Sequence, residues 1–338
     1  MRGAAWWPLF AVLGCGDGPQ DAGTDGGRTR DAPPPGTCDT TAPWAGAPAV
    51  GLGPTQETAA VAVGGKIYVL GGFLLRDSLE VTAAVQVFDT ATCTWSEGPA
   101  MPKPVHHANA AVLDGTIYVL GAMQGPEFST IGDTWSWNPA TDAAWAIRAP
   151  ISPSAARGSA ITGALDGKLY VAGGLRDGAV TDVSIYDPVA DAWSDGPALP
   201  APRDHGCGGE VGGKLYVIGG RNANIGSTAS TVYELAPGGA AWQSRTAMPT
   251  ARGGTGCGVI DGRIIVVGGE GNPAAGSRGV FPQVEAYDAA ADTWEALPPM
   301  RTPRHGMGAA AWGGRLYVPG GADRQAFGPV DTHEILTP

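Results

Sequence analysis

The chain has 338 residues, a formal charge of −11, and 54 Gly, 29 Pro and 11 Trp. That much Gly and Pro excludes a largely helical protein, because these residues punctuate short elements at turns. The acidic balance gives no reason to expect nucleic acid as a partner, and no apolar run reaches the roughly 18–20 residues that a membrane-spanning helix needs.

At the N-terminus, Arg2 followed by the apolar run AAWWPLFAVLG reads as an export signal over residues 1–14. Val12-Leu13-Gly14-Cys15 resembles the lipobox of bacterial lipoproteins, which implies acylation of Cys15. The competing reading is an ordinary cleaved signal and a secreted protein. Residues 15–37 carry almost no large apolar side chains and form a tether that cannot offset its own ordering entropy. The expected location is the cell envelope, periplasmic or at the surface, with the membrane reached through a lipid anchor only.

Residues 38–338 are built from a repeat. The segments GKIYVLGG (65–72), GTIYVLGA (115–122), GKLYVAGG (167–174), GKLYVIGG (213–220), GRIIVVGG (262–269) and GRLYVPGG (314–321) recur at intervals of 50, 52, 46, 49 and 52 residues. A small-residue strand and a DG or GG turn precede each copy, the signature of a two-residue hairpin. After it come a variable loop, an alternating strand such as VQVFDT or VSIYDP, and a Trp. Four short strands per repeat, a to d, describe a propeller blade whose two faces pack against its neighbours.

The Gly doublet ending strand b, the aromatic-Asp pair in strand c and the Trp opening strand d resemble the kelch family over residues 39–338. Ala122 replaces a doublet Gly, Ile265 a Tyr, and Leu235-Ala236 the aromatic-Asp pair. The last segment, HEILTP, aligns on strand c of the sixth repeat and lacks a strand d, whereas Trp44 in TAPWAGAP has no repeat before it. The expected fold is therefore all-β: a six-bladed kelch propeller closed by an N-terminal strand that completes the last blade and removes the open sheet edge. By the same resemblance, ligands are expected on the face formed by the b–c and d–a loops.

Sixteen residues before each Gly doublet stand Thr55, Val105, Arg157, Arg203, Arg252 and Arg304. Four arginines in one register either rim a mouth of the central channel, where forked hydrogen bonds would recognise carboxylates or sulfate, or tie down backbone carbonyls as a structural device of the repeat. Arg76, Lys103, Arg176, Arg221, Arg278 and Arg324 in the loops of that face favour anion steering, while Asp77, Asp177, Asp204, Glu270 and Asp323 oppose it. His106, His107, His205 and His305 lie 15 or 14 residues before the doublets of alternate blades. Three histidines converging on the axis could hold zinc or copper; neighbouring registers of a strand point to opposite faces, so His205 and His305 need not both face the channel, and no metal or cofactor is expected.

His107, His205, His305 and Glu270 join the arginines as candidate ligand-binding residues. Among the remaining cysteines, Cys38 and Cys93 fall near one rim and are a candidate disulfide, and Cys207 and Cys257 read as buried thiols. No Ser-His-Asp set, zinc-finger spacing or phosphate-cradling loop occurs, so no catalytic residue is assigned. The functional expectation is a monomeric binding module for a protein or glycan, anionic in one version, with an exposed apolar patch around Phe73, Phe281 and Phe327. The alternative is an enzyme resembling the sialic acid epimerases, with Glu57 or Glu270 as a base beside an arginine-lined pocket; a copper radical oxidase fits less well because the tyrosines fall in core strands.

Overall fold

Alternation of apolar residues on both faces of every strand b dictates the packing. The computed structural model describes Cys38 and residues 43–338; the signal over residues 1–14, Cys15 and the tether to residue 37 lie outside the described residues. Six four-stranded antiparallel sheets follow one another, and no helix occurs among the described residues. In blade 1 the strands are Ala59–Val63, Lys66–Leu70, Val85–Asp89 and Thr94–Glu97. Strand b sends Ile67 into the cluster shared with blade 6 and Tyr68 into the one shared with blade 2. Each of the six interfaces has its own apolar cluster, and none could form from one blade alone.

The sixth blade consists of Ala310–Trp312, Arg315–Pro319, His333–Leu336 and Trp44–Gly46. Trp44 pairs with Leu336 and Gly46 with Glu334, so the N-terminal strand is strand d of the last blade. A ring of indoles explains why that strand needs its Trp. Trp95, Trp145, Trp193, Trp242 and Trp294 each donate Nε1–H to a carbonyl of the preceding blade, at 2.7–3.1 Å. Trp44 completes the circle by donating to Pro298 O at 2.8 Å. Cys38 and Cys93 form a disulfide with their Cα atoms 5.7 Å apart, which joins the start of this segment to the c–d turn of blade 1.

A second device links blades nearer the axis. The second doublet Gly donates its N–H to the residue of the arginine register in the following blade: Gly72 to Val105 O, Gly174 to Arg203 O, Gly220 to Arg252 O, Gly269 to Arg304 O and Gly321 to Thr55 O, at 2.7–3.0 Å. The left-handed φ of the doublet, +62° and +92° at Gly219 and Gly220, turns the chain for this contact. Ala122 cannot follow, so in blade 2 strand b resumes after a bulge at Gly121 and runs on to Gln124. The buried amide of Asn109 takes over, donating to Arg157 O at 2.8 Å.

His333, on strand c of the closing blade, stands edge-on to Phe88 with ring centroids 4.5 Å apart. Burial first, and the Arg304 guanidinium second, keep its imidazole neutral down to about 3. Its unfolded counterpart takes up a proton near pH 6.5. A folded value below the unfolded one means that this contribution is complete above pH 6.5 and declines as pH falls towards 3.

Two outcomes follow. Trp44→Ala removes a buried indole and the closing hydrogen bond, and urea unfolding should show a loss of about 3–5 kcal/mol; an unchanged midpoint would contradict closure through this residue. His333→Phe should flatten the acid limb of stability against pH between 6.5 and 4 by close to one proton, about 1.4 kcal/mol per pH unit; an identical slope in parent and variant would show that His333 is not a source of that limb.

Candidate functional site

The d–a loops approach the axis two to four residues before strand a. There Glu57, His107, Ser159, His205, Gly254 and Gly306, one from each blade, all adopt left-handed φ between +51° and +66°. Their backbones form a closed ring: each N–H donates to the carbonyl of the preceding blade's member, from Glu57 N on Gly306 O at 2.5 Å to His107 N on Glu57 O at 3.1 Å. Two blades use Gly here, as the conformation favours; Glu, His, Ser and His accept a conformational cost that concentrates at functional sites. A cavity of about 110 Å³ lies over this ring.

The left-handed residue breaks the two-residue alternation, so both histidine registers reach the same place. His107 Nε2 stands 3.1 Å from Glu57 Oε2, and His305 Nδ1 3.8 Å from Glu57 Oε1. His107 and His205 have ring centroids 4.9 Å apart. One ligand atom from each of Glu57, His107 and His205 lies within 4.8 Å of the others. Strand alternation alone leaves it open whether His205 and His305 share a face; with the kink, His205 stands in the ring, His305 immediately before it, and both come near Glu57.

Partners around the cluster fix its tautomers. His106 Nε2 is 3.0 Å from Gly125 O, a pure acceptor, so that nitrogen carries the proton. His106 stays neutral, its value lowered to about 4 by burial and then by the neighbouring His107. Its bare Nδ1 therefore accepts from His107 Nδ1–H at 2.5 Å, which turns His107 Nε2 towards Glu57 Oε2 at the axis. His205 donates Nδ1–H to Asp204 Oδ1 at 2.5 Å and likewise keeps Nε2 for the axis; burial is the main force lowering its value, followed by the Arg221 charge. Arg221 bridges Asp204 at 3.1 Å and Glu270 at 2.7 Å. Despite burial, which acts the other way, the surrounding imidazoles, His107 first, hold the Glu57 carboxyl far below the usual range.

The arginine register behaves otherwise. Arg157, Arg203, Arg252 and Arg304 are at most 2% exposed and do not rim the mouth. Arg157 Nε and Arg252 Nε donate to the Gly173 and Gly268 carbonyls at 2.5 and 2.8 Å, where the doublet has ended the ladder of strand b. Each guanidinium also meets the second residue of its own strand c: Ser184, Tyr233, Glu285 and Glu334. Blade 2 places Val105 and Trp135, both fully buried, in those two positions. The arginines are structural, and their assignment as ligand-binding residues is corrected: the strand ends left by the doublet need donors.

Loop cations are spent as well. Arg76 pairs with Glu80, Lys103 with Asp133, Arg176 with Asp182, and Arg278 and Arg324 with Asp323. Anion steering thus loses its basis. Phe73 and Phe281 are buried, whereas Phe327 is 47% exposed. Phe73–Leu75 and Leu79–Val81 form a hairpin in the b–c loop of blade 1. Leu75 opposes Leu79 and Phe73 opposes Val81, so these four side chains share one face. Phe327 leans on Phe73 at 5.4 Å between centroids and continues the strip, with Leu75 38% and Leu79 39% exposed.

Cys207 and Cys257 are free thiols. Burial, then the Cys207 neighbour, pushes the Cys257 thiol well up. Sequence reasoning named His107, His205, His305 and Glu270, which the structure places around the axial mouth, but gave Glu57 only a conditional role and no connection to the histidines. The signal was present: Gly254 and Gly306 in the register of Glu57 mark a left-handed position.

The chain matches the KLHDC2/KLHL20/DRC7 Kelch-repeats domain over residues 40–205 and the Kelch motif over residues 251–301. It is 35% identical over 298 residues to Kelch-like protein terF of Aspergillus terreus, covering 84% of this chain and 63% of that protein. Kelch-like protein 35 of Mus musculus is 30% identical over 179 residues, 53% of this chain and 29% of that protein. The chain thus spans less than two thirds of the length of either relative. The solved structure of YjhT superposes with a TM-score of 0.68 over 85% of this chain and 95% of its own, at 19% identity, a likeness of fold.

Arg252→Ala should cost about 3–5 kcal/mol in unfolding free energy, because it strands Glu285 and two carbonyls in the interior. A loss below about 1 kcal/mol in denaturant titration would return the arginine to the surface role.

Proposed function

As this chain is a kelch-repeat β-propeller, we propose that it is an exported interaction module whose b–c and d–a face binds a protein partner. The observation that carries this reading is the apolar strip of Leu75, Leu79 and Phe327 on that face. Exposed leucines and a phenylalanine grouped on a projecting hairpin and the adjoining loop suit a protein surface better than a glycan. The groove of about 500 Å³ between the loops of blades 5 and 6, with the paired Arg278 and Asp323 in its wall, extends the same face. Export is supported by the Cys38–Cys93 disulfide, which an oxidising compartment sustains, and anchoring through an acylated Cys15 belongs to the same proposal.

A sugar-acid enzyme would need a guanidinium presented to its substrate carboxylate. Arg221, the arginine at the axial mouth, is already shared by two carboxylates, and the four register arginines are interior, so the specific support for that reading falls away.

The test is a comparison of the parent with Leu79→Asp/Phe327→Asp in cross-linking and affinity capture from the source cell envelope, with both proteins shown to melt alike. The reading expects a discrete partner whose affinity drops at least about tenfold in the double variant, as for an interface anchor. A partner retained equally by the variant would refute the proposed face.

A further inference from the structure

Glu57, His107 and His205 are presented as a metal centre would require. We propose that the axial mouth binds one divalent transition-metal ion of the zinc type through Glu57, His107 Nε2 and His205 Nε2, with a further coordination position open to the cavity above the ring. The argument stands apart from the protein-binding face and needs no partner.

Three observations converge. The donor atoms already lie within 4.8 Å of one another. Zinc–ligand bonds of about 2.0–2.1 Å separate tetrahedral donors by roughly 3.4 Å, so closure asks for movements on the order of one ångström by side chains. The ring backbone, fixed by its six hydrogen bonds, need not change.

The nitrogens of these imidazoles that face away from the axis are held as metal-binding imidazoles need. His205 donates its distal N–H to Asp204, itself held by Arg221, and His107 donates to His106, which donates its own Nε2–H to Gly125 O. Both devices fix the tautomer, aim Nε2 at the ion and raise its basicity. Two imidazoles and one carboxylate, all hard or borderline donors, suit zinc and its first-row neighbours rather than calcium.

Charge and an orphaned atom point the same way. Glu57, Asp204 and Glu270 have side chains 11%, 4% and 3% exposed; Arg221 pairs with Asp204 and Glu270, and Glu57 meets His107 and His305. Three carboxylates around one guanidinium leave a place for a further cation, either a metal ion or protons on the imidazoles. His305, 1% exposed, donates Nε2–H to Arg324 O at 2.8 Å, and its Nδ1 has no hydrogen-bond partner. That atom points at Glu57 Oε1 and Glu270 Oε2, 3.8 and 3.6 Å away. A lone pair facing two carboxylates is unfavourable unless a cation, metal or proton, lies among them.

The alternative balance is protons on the histidines, and a metal titration separates the two. Metal-stripped full-length chain is titrated with Zn²⁺ by calorimetry and with Co²⁺ by visible absorption, in parallel with His107→Gln, His205→Gln and Asp204→Asn. The expected result is one ion per chain and a cobalt ligand-field spectrum. Affinity should fall at least about 100-fold in both histidine variants, and about 10–100-fold with unchanged stoichiometry in Asp204→Asn. Failure of the parent chain to bind either ion, which is readable even if a variant does not fold, overturns the proposal in favour of proton balance. Binding that survives both histidine substitutions overturns it in favour of another site.

Discussion

Closure is the constraint from which the rest follows. A blade in this chain has no interior of its own: strand b divides its apolar residues between two neighbours, so every blade is stable only when flanked on both sides. In a linear stack the terminal blades would each leave one apolar face and one edge in water. The ring removes both, provided the last blade is complete, and Trp44–Gly46 completes it from the far end of the sequence. Three concentric circuits then run around the molecule, the indoles outermost, the doublet N–H groups within, and the axial ring at the centre. Each circuit has its joint between blades 6 and 1, the joint that the Cys38–Cys93 disulfide also flanks.

How legible this was depends on whether a feature repeats. The period, the Gly doublets and the strand order were open to reading because six copies average out local exceptions, and the unpaired Trp44 fixed the closure. The arginine register was equally visible, yet its direction was not: two readings of a buried or rim-facing guanidinium share one sequence pattern. The partner that decides between them, the second residue of strand c, lies about 30 residues away and changes from Ser to Tyr to Glu. Ala122 was recognised as a departure, but its remedy, the Asn109 amide, sits in the loop just before strand a and matches nothing in the other blades.

The histidines show where strand logic ends. Alternation of side chains holds only for extended backbone. At positions 57, 107, 159, 205, 254 and 306 the chain is left-handed, so His305, before the kink, and His107 and His205, at it, all come to the cluster around Glu57. Glycines at two of the six positions were the available warning. Glu57, two residues from a Thr and remote in sequence from every histidine, joins them only because blade 1 and blade 2 are neighbours and because the ring places its members in hydrogen-bond reach.

Symmetry and its loss therefore separate structure from function within one repeat. The arginine register recurs in four blades, makes its side-chain hydrogen bonds within its own blade, with only the Nε of Arg203 and Arg304 left unpartnered, and can be replaced by Val105 and Trp135 without disturbing the ring. Two residues further on, the axial register shares one backbone conformation in all six blades but no side chain beyond a pair of histidines and a pair of glycines. A device needed for closure must appear in nearly every blade, whereas a site on a sixfold axis must break the symmetry, since six equal side chains would collide or repel. Glu57, His107, His205 and His305 reach the axis from blades 1, 2, 4 and 6, and Gly254 and Gly306 leave the space that a side chain would take from Glu57, Glu270 and His305. That asymmetry, purchased with left-handed Glu and His and with buried carboxylates, is of no use to the ring itself, and it marks the mouth as the part of the propeller shaped by something other than folding.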